Sequence, residues 1–86
     1  MRDMSAYVVT NAGRESSDPS SNYLFDVSRG GRKVAELSHD YRGDEYQMRL
    51  PGAGWISLPD RIIVGGGPKP LTISKAGVQA LDRLLG

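Results

Sequence analysis

Eighty-six residues make one small domain, and a chain of this size hides only roughly 60 to 65% of its unfolded surface, which leaves little room for a deep enclosed active site. Eleven basic and ten acidic residues leave a formal charge of +1, which argues against a strongly electrostatic partner, whether membrane surface or nucleic-acid backbone. With no cysteine there are no disulfides or thiolate metal sites, and with no apolar run near the roughly 20 residues of a membrane span, a cytoplasmic location is the default expectation.

In chain order, residues 1–22 are expected to form a flexible N-terminal segment with a short edge strand at 6–9, "AYVV". The "TNAGRESSDPSSN" that follows has too few apolar side chains to offset the entropy of ordering it. Residues 23–86 are expected to form a single α+β domain.

That domain opens with a hairpin over 23–39, where two β-patterned runs flank Gly30-Gly31. A loop of Gly30 to Arg32 would pair Val27 with Ala35, Phe25 with Leu37 and Tyr23 with His39, gathering one apolar face; a two-residue loop would mix apolar and polar groups. The first register is therefore expected, because a one-residue slip sends the whole apolar set to the wrong side. A left-handed glycine would close the turn at a bulge.

"DYRGD" turns the chain at 40–44, and "EYQMRL" at 45–50 alternates as a third strand, with Tyr46 and Met48 on one face and Gln47 and Arg49 on the other. "PGAG" breaks it. Two short apolar runs, Trp55 to Leu58 and Arg61 to Val64, flank Pro59-Asp60, and the second is expected as a short strand near 61–64.

"GGGPKP" invites a comparison with phosphate-binding loops, in which backbone N–H groups and a lysine converge at a helix N-terminus. The spacing fails, since Pro70 and Leu71 stand where glycine and lysine are required, and two prolines remove donors. A flexible hinge followed by a stiff extended segment is expected instead. From Ser74 apolar residues fall at Val78, Leu81, Leu84 and Leu85, the spacing of a helix over 74–85 capped by Ser74, with Ile73 and Val78 as a hydrophobic staple. The fold class is thus α+β: a small antiparallel sheet of three to four strands packed on one C-terminal helix.

"LTISKAGVQALDRLL", residues 71–85, resembles the closing segment of many winged-helix regulators, in which LT-x-x-G leads into an amphipathic helix. The resemblance covers 15 residues of 86 and implies a helix start. It implies no DNA contact, because the region upstream carries strand signals where the helix-turn-helix would lie.

No residue set is assigned to catalysis, a metal or a cofactor. His39 is the sole histidine and is expected to cap the hairpin's apolar face opposite Tyr23, while Ser38 and Asp40 point away from it along a strand. The expected function is non-enzymatic binding of another protein, as a regulator or inhibitor of a larger machine. Tyr41, Tyr46 and Trp55, with Arg49 and Arg61, are of the residue types that dominate interfaces. Trp55 is the leading candidate, with a place in the core under the helix as its competing role. Edge strands offer a homodimer by sheet extension. The alternative is an accessory nucleic-acid binder using Arg29, Arg32 and Lys33 at the hairpin tip, although residues 23–86 carry only nine basic against seven acidic residues.

Overall fold

Strand patterning governs the chain up to Ile73, and one amphipathic helix follows. The structure, a computed structural model, describes residues 7–40, 42, 45–58, 61–66 and 68–86. Expectations for Ala6, Tyr41, Asp44 and Pro59-Asp60 lie outside the described residues.

Five strands form an antiparallel meander: β1 (Tyr7–Arg14), β2 (Tyr23–Arg29), β3 (Arg32–His39), β4 (Tyr46–Arg49) and β5 (Ile56–Leu58), each beside its neighbour in sequence. Strands β6 (Ile63–Gly66) and β7 (Lys69–Ile73) make a separate two-stranded sheet, and α1 (Lys75–Leu85) closes the chain. The α+β class and the helix agree with the sequence reading. The count of three to four strands does not: the described residues hold seven strands in two sheets. The edge strand runs for eight residues rather than four, and the strand near 61–64 pairs with β7 instead of joining the main sheet.

The body of the β2–β3 hairpin has the expected register, with Val27 opposite Ala35, Phe25 opposite Leu37 and Tyr23 opposite His39. The extra residue sits elsewhere than in the turn. Arg29 pairs with Arg32 across a two-residue turn, Gly30-Gly31, whose φ angles of 61° and 79° are the left-handed pair that a tight hairpin needs. Val34 then bulges out of β3 and resets the register. A similar bulge at Ala12 shifts β1 against β2.

The same device explains why the stretch read as a hinge is a hairpin. Pro70 and Leu71 together oppose Gly65, so the proline, which has no N–H, sits where the β6–β7 ladder is already interrupted. Gly65 has φ 98°, and a side chain there would run into the Pro70 carbonyl.

Register and alternation gather Tyr7, Val9, Phe25, Val27, Ala35, Leu37, Tyr46 and Met48 on one face of the large sheet. The layer over it comprises Ile62 and Ile63, Ile73, and Val78, Ala80 and Leu81 of the helix. Ser74 joins these pieces. Its Oγ accepts from Gly77 N–H at 3.1 Å and donates to the Arg61 carbonyl at 2.6 Å, while its N–H reaches the Ile62 carbonyl at 2.7 Å. Gly77 permits this closeness, since a Cβ on it would stand 2.7 Å from both Ile62 Cγ2 and Ile73 Cγ1. At the other end of the helix, Tyr7 Oη donates to Asp82 Oδ1 at 2.9 Å and accepts from Arg29 Nη1 at 3.1 Å.

The β1–β2 connection is also built from specific bonds. Arg14, brought opposite Tyr23 by the Ala12 bulge, lies 4.3 Å from that ring's centroid and donates to the Pro19 and Ser21 carbonyls. Asp18 accepts from Ser20 N–H and Oγ, which holds its carboxyl below the usual range.

Candidate functional site

The five residues expected to bind a partner separate onto two faces of the large sheet, as the alternation of β4 requires. Tyr46 is buried on the covered face, and Arg61 enters the overlying layer beside it. Arg49 and Trp55 lie on the open face. Tyr41 is outside the described residues.

On the covered side, beyond the end where the helix packs, the β6–β7 hairpin and the sheet bound a cleft of about 430 Å³. Its lining includes Tyr23, Phe25, His39 and Tyr46 from the sheet, with Arg61 and Lys69 from the layer above. The rings form a continuous group around His39: centroids of Tyr23, Phe25 and Tyr46 lie 5.2, 5.3 and 5.4 Å from the imidazole. His39 Nδ1 is 2.6 Å from the Asp40 carbonyl, which only accepts, so Nδ1 is the donor of this contact. No carboxylate among the described residues lines the cleft, and there the side chains of Arg61 and Lys69 have no ion-pair or hydrogen-bond partner. Lys69 and Asn11 were not singled out by the sequence; their place in the cleft follows from the hairpin folding back and from the β1 register.

On the open face, the directly opposed carboxylates of Asp26 and Glu36 would repel, and cations separate them. Lys33 Nζ lies 3.2 Å from Asp26 Oδ1 and 2.6 Å from Glu36 Oε2. Positions 33 and 36 would point to opposite faces of a regular strand, so the Val34 bulge is what allows Lys33 to join the row. Arg49 Nε donates to Glu36 Oε1, and its guanidinium carbon lies 4.3 Å from the centroid of Trp55. A shallow recess of about 140 Å³ beside the indole is lined by Ala12, Leu24, Glu15, Asp26 and Glu36 among others. Trp55 is half-buried and outside the core cluster.

Hydrogen bonds from Lys33 first, and then from Arg49, hold the Glu36 carboxyl below its ordinary range. A depressed folded-state value makes the sign definite: the stabilisation is complete above the unfolded glutamate value, near 4.3, and disappears as the pH falls through and below it. Glu36→Gln is expected to flatten the acid limb of a plot of urea midpoint against pH below about pH 5. An unchanged limb would show that the row does not hold the charge.

At the hairpin tip, Arg29 is engaged with Tyr7 and Lys33 with two carboxylates, so among the three expected nucleic-acid contacts only Arg32 lacks a partner within the described residues. The sheet edges are β1, bulged at Ala12, and β5, only three residues long, both features that discourage edge pairing. Among the described residues, no group of His, Asp and Glu could hold a metal ion, and no helix is long and apolar enough to cross a membrane. Comparison of the chain with protein-family models, curated proteins and solved structures gives no match.

Proposed function

We propose that this protein is a non-enzymatic binding module whose protein partner docks on the open face of the five-stranded sheet, with Trp55 and Arg49 as anchors, in the manner of a stand-alone regulator. The observation that carries this is the Trp55–Arg49 stack. The guanidinium is fixed from one side by Glu36 and from the other by the indole, so both anchor types are ordered before a partner arrives and lose little entropy on docking. The recess beside the indole, apolar at Ala12 and Leu24 and acidic at Glu15, suits an apolar side chain flanked by Lys or Arg.

Panning a phage-displayed random peptide library on the immobilised protein tests this. Enriched peptides should carry such a pattern, and Trp55→Ala should weaken them by about tenfold or more, with the circular dichroism spectrum unchanged. An enrichment indifferent to Trp55→Ala, or none at all, would remove the proposal. Duplex DNA at low salt provides the control for the hairpin tip. With two of its three cations already engaged, no binding is expected, whereas steeply salt-dependent binding would favour the nucleic-acid alternative.

A further inference from the structure

The cleft on the covered side plays no part in the proposal above, yet its chemistry is specific. Five of the chain's cations, Arg14, Arg29, Lys33, Arg42 and Arg49, already have hydrogen-bond or ion-pair partners. Among the described residues Arg61 and Lys69 have none, and both line one hollow that no described carboxylate lines. Two like charges without a partner among the described residues border one cavity, a setting that an anion of about two charges would suit.

The remaining lining defines what that anion would be attached to. Tyr23, Phe25, His39 and Tyr46 offer a ring-rich wall, and the hydroxyls of Tyr23 and Tyr46 have no hydrogen-bond partner among the described residues. Asn11 Oδ1 is committed to Gly13 N–H at 2.7 Å, which fixes the amide and leaves its NH₂ as a donor. A cavity of about 430 Å³ falls within the range of roughly 300 to 1,000 Å³ typical of small-molecule sites. We infer that the cleft binds a nucleotide, with the planar base against the tyrosine and histidine rings and the phosphate between Arg61 and Lys69. A phosphate monoester carries a charge of about −1.5 to −2 at neutral pH, which matches two cations better than a carboxylate does. Stacking on rings is tolerant of base identity, so all four bases should be accepted. The "GGGPKP" stretch, whose spacing is wrong for a phosphate loop, thus supplies its lysine side chain to a phosphate site of another kind.

Titration of the isotope-labelled protein with AMP, GMP, CMP and UMP, followed by NMR, tests the inference. Saturable shifts are expected at Asn11, Tyr23, His39 and Tyr46. Adenosine, inorganic phosphate and benzoate should each bind about tenfold more weakly or worse, and Arg61→Gln with Lys69→Gln should cost a similar factor while the dispersion of the spectrum is kept. Both residues are exposed, so the double variant should fold. A short single-stranded oligonucleotide forms the second arm: tighter binding than the mononucleotides makes a strand the source of the ligand, and equal or weaker binding makes it the free nucleotide. Shifts confined to the Arg29–Lys33 tip, benzoate binding as tightly as the nucleotides, or an undiminished affinity in the double variant would overturn the assignment.

Discussion

Leu37→Ala is expected to lower the unfolding free energy by about 3 to 5 kcal/mol, the upper part of the range for burying and then deleting a leucine. Leu37 is fully buried on β3, the central strand of five, and stands in register between Phe25 on β2 and Met48 on β4. Its neighbours are fixed by ladders on both sides, so the cavity left behind cannot collapse by moving one strand. The loss is large against the whole, because a chain of this length has a total stability of only about 4 to 13 kcal/mol. Urea unfolding should show a lower midpoint with an unchanged m-value. A loss below about 1 kcal/mol would mean that the layer of Ile62, Ile73 and Leu81 does not close over the sheet.

Gly65→Ala should be nearly as damaging, by about 2 to 4 kcal/mol, through the backbone rather than the core. Two costs combine. The φ of 98° is one that a residue with a Cβ adopts at a cost of about 1 to 2 kcal/mol, and the new methyl would overlap the Pro70 carbonyl, which belongs to the partner strand of the same hairpin. Gly13→Ala separates the two terms. Gly13 has a similar φ of 93° but nothing within 4 Å of where its Cβ would go, so only the conformational cost applies. Chemical denaturation of both variants should rank Gly65→Ala clearly below Gly13→Ala. Equal losses would mean that the close approach of Pro70 to Gly65 does not exist in solution.

The hairpin over 23–39 was legible because an apolar face with a period of two admits one pairing, and the structure has it. What the period could not show is where the odd residue goes. A bulge at Val34 and a glycine in the turn leave the same pattern of apolar pairs, and only the position of Lys33 relative to Asp26 and Glu36 tells them apart. β7 is hidden in the sequence for a related reason. Its "KPLTI" contains a proline, which argues against a strand unless a break in the ladder falls on that residue, and nothing local in the sequence marks the break. The sequence marks β1 only as far as Val9, because Thr10 to Arg14 carry no apolar alternation; they are exposed, and their order comes from pairing with β2.

Site residues followed the same division. Alternation along β4 already placed Tyr46 and Arg49 on opposite faces, so a single patch holding both was excluded by the sequence alone. The placement of His39 against Tyr23 was legible too. The role of Lys69 was not, since it depends on β7 pairing back along β6 and bringing that residue to the cleft over the sheet.

The hydrogen bond from Tyr7 to Asp82 spans 75 positions of the chain and links the outermost strand of the meander to the final turn of the helix. Every neighbour relation within the large sheet is sequential, so this bond, together with the packing of β1 on β7 and in the shared core, is what brings the two ends of the described chain together. Fraying of either extremity therefore loosens the other. The outermost strand and the last helical turn therefore resist unzipping together, held by this phenol and carboxylate as well as by the burial of Tyr7 and Val9 in the shared core.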